Sequence, residues 1–491
     1  MTMSARSKRM IFKHMRDSLS KDKSHIALMC LMSGGLVSPL LGQECSPFEE
    51  AKLLATDGNI HTADNFGASI AVGLETVLVG AWGSHEAGGA YVFALIDGEW
   101  IEQAAFIPED GDGLDYFGWS VSISKDGDTA LIGSIWNDEI AQDAGSAYVF
   151  VRENDVWTFQ TKFLASDGQA FDDFGISVAL SDDGNTAFVG AREHDTSEFD
   201  AGAVYVFVRD EVDVWSLHSK LISSDAGRAD WFGTSVAIDG TTALIGAFKN
   251  DEVDLNTGAA YIFELIDDQW VEQQKLIDPD GNRFDNFGHA VSLDGDVALI
   301  GAYRSNAAGT NSGAAYIFER SDGVWSEQAL LVASDGAEED WFGFSVSVSG
   351  GTAVVGAVSA DPLGTGSGAA YVFTRSDGAW TEQEKILAGD GSSRDLFGYS
   401  VSVYEDTAGF GADGDDVFGD FTGSAYIFDL GCAGLPCLAD LDGNGLLNFL
   451  DISAFLDAFG NQEPAVDFVS DGSFNFLDVS AFLLIFGQGC P

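Results

Sequence analysis

The chain has 491 residues, with 78 acidic against 23 basic side chains and a net charge of −55. So acidic a surface repels nucleic acid and anionic membranes, and excludes both as partners. Aromatic residues make up 12% and there are only eight prolines, which excludes a disordered chain and leaves enough apolar material for a large core. The acids read mainly as turn residues that keep strand edges soluble.

The first 42 residues differ from the rest. They hold seven basic residues and only two acidic ones, followed by an apolar run from Ile26 to Leu41. A basic segment followed by an apolar one is the pattern of a secretory signal peptide, with cleavage near Gly42. Gly34 and Gly35 interrupt the run, which is short for a membrane span. There is no second apolar span, so the mature chain is expected to lack a transmembrane segment and to be secreted or held at the cell surface.

From Ser46 onward one phrase recurs. Asp-x-Phe-Gly places its Phe at Phe66, Phe117, Phe174, Phe232, Phe287, Phe342 and Phe397, with steps of 51, 57, 58, 55, 55 and 55 residues. Each phrase opens four short runs. The sixth copy shows them well: SVSVS alternates, TAVVGA is a buried β-branched run, GAAYVF ends in aromatics, and WTEQEKILA alternates again. Turn residues separate the runs, so each copy predicts a four-stranded antiparallel meander. One meander cannot bury both faces, and seven at a steady period predict an all-β, seven-bladed propeller over residues 46–430. The first run, Phe48 to Ala55, matches a fourth run with no first three before it, and the seventh copy stops after Tyr426-Ile427-Phe428. The N-terminal run is therefore expected to be the outer strand of blade seven, closing the ring.

These residues resemble FG-GAP repeats, as in the integrin alpha-chain propeller and many secreted bacterial proteins. The resemblance implies a propeller that binds or adheres rather than catalyses. The Pro that follows Gly-Ala in that family is missing here; Trp82, Ile135, Arg192, Phe248, Tyr303, Val358 and Asp413 stand in its place. The family's Asp-rich calcium loop between first and second strands is absent too, because that connection is only a few residues, such as Asp239-Gly240. Calcium is therefore not carried over to the blades.

Loop length selects a working face. First-to-second and third-to-fourth turns are short, whereas second-to-third loops run to ten residues in six blades, such as Ile135 to Ala144 and Phe248 to Thr257. Long loops on a rigid face are where binding usually lives, so a protein or polysaccharide ligand is expected there. Links between blades carry acids five apart: Asp110/Asp115, Asp167/Asp172, Asp225/Asp230, Asp280/Asp285, Asp335/Asp340 and Asp390/Asp395. Because they recur in the repeat, they read as Asx-turns and caps. The loop residues that vary, Trp136, His194, Phe199, Lys249, Tyr303 and Arg304, are better ligand candidates. Neither a metal-spaced His set, a nucleophile elbow nor a phosphate loop occurs, and no carboxylate pair stands out, so no catalytic residue and no enzyme activity are assigned.

After Leu430 the pattern changes. Phe449 to Phe459 and Phe476 to Phe486 have apolar residues at three- and four-residue spacing, which predicts two amphipathic helices in a small module over 431–491. Before the first helix, Asp440, Asp442, Asn444, Asn448 and Asp451 place oxygens at loop positions one, three, five, nine and twelve, with Gly445 at six and Leu446 supplying a carbonyl. That is the oxygen spacing of an EF-hand calcium loop. A second loop keeps Asp467, Asp471, Asn475 and Asp478, but Val469 replaces one ligand, so this site is expected to be weaker. Asp at position twelve resembles dockerin loops, and that resemblance implies a cohesin-like partner.

Of the five cysteines, Cys30 is expected to leave with the signal segment; Cys45, Cys432, Cys437 and Cys490 remain at module ends, an even number fitting an oxidising compartment. Of the three connectivities open to four cysteines, Cys45–Cys432 with Cys437–Cys490 is expected. The first would sit where other blades have a third-to-fourth turn; the second would join the ends of the helical pair. The sequence thus predicts an exported, non-catalytic binding protein with a calcium-binding docking module. The alternative is a component or enzyme of an extracellular polysaccharide-degrading system.

Overall fold

In blade one, Phe66–Gly73, Thr76–Ala81, Gly89–Ile96 and Glu99–Phe106 form an antiparallel meander. The second strand is buried at every residue. It has a strand on each side and a neighbouring blade on each face, so it reads as continuous apolar sequence rather than alternation. The fourth strand is mostly partly or fully exposed and ends on buried Phe106, because it forms the rim. The computed structural model describes residues 47–55, 63–210, 212–417 and 421–431, with the single positions Phe455, Ala458, Phe459 and Val479. Among these residues the meander repeats in seven separate four-stranded sheets. No helix among them is long and apolar enough to cross a membrane.

The seventh sheet is ordered Phe48–Leu53, Ser424–Asp429, Thr407–Ala412, Val401–Tyr404. The N-terminal strand is thus the outer strand of the last blade. Lys52 fixes it, with Nζ 2.6 Å from Asp390 and 2.7 Å from Asp415. The Gly389 N–H also donates to Glu49.

The hydrophobic cores lie between blades. One joins Leu131 and Val149 of blade two to Val189, Tyr205 and Phe207 of blade three. Another joins Val77, Val79 and Tyr91 of blade one to Ala425 and Ile427 of blade seven. At each blade boundary two backbones approach closely. The Gly of Phe-Gly takes a left-handed conformation (φ +93° at Gly67), and its carbonyl faces the Gly of Gly-Ala in the preceding blade. A Cβ on Gly411 would overlap the Gly67 carbonyl oxygen. That oxygen also accepts from Ser400 Oγ at 2.7 Å. The same clasp runs from Ser69 to Gly118, Ser120 to Gly175, Ser177 to Gly233, Ser235 to Gly288 and Ser345 to Gly398. In blade five Ala290 stands at the serine position, so the hydroxyl is missing there.

The four described positions of the C-terminal stretch have helical backbone, too few to make an element. The signal segment with Cys30, the cysteines Cys45, Cys432, Cys437 and Cys490, and the calcium-loop residues Asp440, Asp442, Asn444, Leu446, Asn448, Asp451, Asp467, Asp471, Asn475 and Asp478 lie outside the described residues.

Candidate functional site

Second-to-third loops and inter-blade links share one face. The Leu114 and Phe117 N–H groups donate to the Glu86 and Ala87 carbonyls of the preceding blade's loop, at 3.0 and 2.8 Å. The same Phe contact recurs at Phe174, Phe232, Phe287, Phe342 and Phe397, and Phe66 closes the series on Thr422.

The acids of the links are architectural. Asp115, Asp172, Asp230, Asp285, Asp340 and Asp395 are buried and accept the N–H three residues earlier, at 2.6–3.1 Å. Each carboxylate thus caps a backbone N–H of its own link, reaching back three residues where an Asx-turn would reach forward two. Their partners in the pairs hold the outer strands. Asp167 accepts Tyr205 Oη at 2.6 Å and Lys220 Nζ at 2.8 Å. Burial alone would raise its carboxyl, yet Lys220 and Tyr205 lower it to about 2. Asp110, Asp225, Asp335 and Asp390 repeat the arrangement with Lys162, Lys275, Lys385 and Lys52. In blade five the Tyr316 hydroxyl reaches Asp278, not Asp280 of the sequence pair, and Leu330 occupies the lysine position.

Two of the variable loop residues also prove structural or peripheral. His194 is 2% exposed, with Nδ1 2.6 Å from Asp172; it substitutes for Asn137 and Asn250, whose amides donate to Asp115 and Asp230. Phe199 is exposed on its loop, with the Arg228 guanidinium over its ring.

The other four gather with side chains that the repeat pattern concealed. The variable residue of Asp-x-Phe-Gly has positive φ in every blade: Asn65, Tyr116, Asp173, Trp231, Asn286, Trp341 and Leu396. These turns open the inner strands, which pack side by side around the axis and close from the last to the first. Trp82, Tyr116, Trp119 and Trp136 form one aromatic patch, with ring centroids 4.3–6.1 Å apart between neighbours. A second runs through Trp231, Phe248, His289, Tyr303, Trp341, Phe344 and Tyr399.

Cations border the second patch. Lys249 Nζ lies 2.9 Å from the Trp231 ring centroid, and the Arg192 guanidinium 4.7 Å from it. Arg304 lies 5.5 Å from Tyr303 and 5.9 Å from Trp341. Rings in this relation hold a cation through their quadrupoles. Arg192 also pairs with Asp173 at 2.7 Å. Burial lowers the Lys249 ammonium, and Arg192 lowers it further. Burial pushes His289 down to about 4. The imidazole is thus neutral at pH 7, with Nδ1–H donating to the Phe344 carbonyl at 3.1 Å. Asp413, 6% exposed, is pushed up to about 7 by burial. Arg192 Nε, Arg304 Nε, Trp231 Nε1 and Asn286 Oδ1 are buried atoms without a hydrogen-bond partner.

The FG-GAP repeat matches residues 47–93, 100–150, 157–207, 215–263, 270–318, 325–373 and 380–428. The chain belongs to the FG-GAP repeat family. Each FG-GAP repeat begins in the outer strand of one blade and ends in the third strand of the next, so the repeat boundary is offset from the blade boundary. A comparison with curated proteins finds no match. Among the described residues of this FG-GAP propeller, no group of three or more His, Cys, Asp or Glu side chains could hold a metal ion. Sequence reasoning missed Tyr116, Trp119, Trp231, His289, Trp341, Phe344 and Tyr399. Their only signal is variation: they flank the invariant Phe-Gly of each repeat, yet differ from blade to blade.

Proposed function

We propose that this FG-GAP protein is an exported binding protein whose propeller takes its ligand on the long-loop face. The observation that carries the reading is the aromatic lining of the axial mouth. Trp136 is 37% exposed, and Trp82, Tyr116, Trp231 and Trp341 are partly exposed. Large rings on a closed ring of blades offer contact area at little cost in side-chain entropy. A panel of purified polysaccharides and matrix proteins tests the reading. Trp82→Ala with Trp136→Ala is expected to weaken binding about tenfold or more, in line with the loss of an interface anchor. The melting temperature should show the fold intact. Asp377→Ser, in a turn on the opposite face, should change nothing. Binding lost only in the turn variant would place the ligand on the other face.

The C-terminal stretch extends the proposal to calcium and to docking on a cohesin-like partner. The support is the oxygen spacing from Asp440 to Asp451. In the full chain, calorimetry is expected to detect calcium binding at roughly 10⁻⁴–10⁻³ M, usual for extracellular modules. Asp440→Ala with Asp451→Ala should remove the stronger site. Identical heats from wild type and variant would remove calcium from the proposal.

A further inference from the structure

The propeller is strongly acidic, and its lysines are mostly consumed by carboxylates: Lys52, Lys162, Lys220, Lys275 and Lys385 each pair with an aspartate of a link. Lys249 and Arg304 do not. Neither makes an ion pair with a described residue, although acids outnumber bases more than threefold in this chain. Both stand instead against the second aromatic patch. Between Trp231 and Trp341 in ring order lies Asn286, 5% exposed, with Oδ1 unpartnered. Trp231 Nε1 and Arg304 Nε are unpartnered donors at the same place. Two cations with no direct ion pair, the nearby Glu193 and Asp200 carboxylates acting on Lys249 only through space, unused donors and an acceptor, and flat rings beside them are the complement of a sugar ring bearing a carboxylate. The rings stack on the sugar's apolar face, the cations take its charge, and the amide takes a hydroxyl.

We infer that the axial mouth binds a single carboxylate-bearing sugar residue, such as a uronic acid, borne on an otherwise neutral glycan. The inference rests on the long-loop face being the binding face. The acid-rich surroundings set the restriction to isolated charge. A polymer charged at every residue would meet the whole negative field, whereas one carboxylate beside Lys249 and Arg304 meets three cations, with Arg192 on the same Trp231 ring, against the Glu193 and Asp200 carboxylates nearby. Burial and Arg192 both disfavour the Lys249 ammonium, and a bound carboxylate would relieve that.

Calorimetry on the full chain with cellobiouronic acid, cellobiose and polygalacturonate tests the inference. The first two differ by one carboxylate. Cellobiouronic acid is expected to bind at least tenfold more tightly than cellobiose, and polygalacturonate to bind more weakly per site at low salt. Lys249→Gln and Arg304→Gln should each remove most of that preference, while Lys249→Arg keeps it. Arg304→Lys provides a second charge-preserving check if a glutamine variant unfolds. Equal affinity for the two disaccharides, or a preference untouched by both glutamine variants, overturns the inference. So does a failure of both disaccharides to bind; if polysaccharides or matrix proteins still bind in a Trp136-dependent way, the binding face stands and only the acidic-sugar assignment falls.

Discussion

Gly411→Ala is expected to destabilise the propeller by about 1–3 kcal/mol, a typical range for forcing a methyl group into a filled contact. The added Cβ would overlap the Gly67 carbonyl oxygen, where blade seven meets blade one. The same oxygen accepts from Ser400 Oγ, so displacing it also loses a hydrogen bond of about 1 kcal/mol. Gly301→Ala is the informative comparison. It meets the Gly343 carbonyl in the same way, but Ala290 provides no hydroxyl to lose, so its cost should be lower by about that 1 kcal/mol. Urea unfolding of the two variants and of Ser400→Ala measures each contribution. A Gly411→Ala protein as stable as wild type would mean that the blades are not in this close contact.

Raising the pH from 4 to 8 is expected to strain the folded protein through Asp413, and Asp413→Asn should remove that strain. Burial pushes the folded-state carboxyl up to about 7, with hydrogen bonds from Asn65 and the Asp413 backbone opposing the rise. Its unfolded value is near the ordinary 3.8. The folded state therefore holds its proton to higher pH than the unfolded chain does. The group's contribution is fully present below about pH 3.8 and is lost as pH rises through about 7. A tenfold change in proton affinity is worth about 1.4 kcal/mol, so the asparagine variant should gain roughly 2–4 kcal/mol over wild type at pH 8 and almost nothing at pH 4. Depressed acids such as Asp167 and Asp335 change stability in the opposite sense, but they contribute equally to both proteins and cancel. Denaturation curves of wild type and variant at the two pH values decide the matter. A difference independent of pH would show that Asp413 does not hold a proton in the fold.

The sequence by itself determined the blade. Alternating runs, buried β-branched runs and turn residues are local signals, and a period near 55 residues repeats them seven times. It also determined that Phe48 to Ala55 had no blade of its own to join, and that Asp115, Asp172 and their equivalents were turn caps. The tertiary structure decided what happens where blades meet. Ser400 and Gly67 are 333 residues apart yet in contact, because closing a ring joins its first and last members. It decided that Asp278 rather than Asp280 holds Tyr316, and that His194 is a buried strut. Above all it decided the axial mouth. Each blade contributes only one to four side chains to that lining, so no stretch of sequence contains it. Lys249, Trp231, Arg304 and Trp341 become neighbours only because seven turns of positive φ are brought around one axis, and no local pattern encodes that convergence.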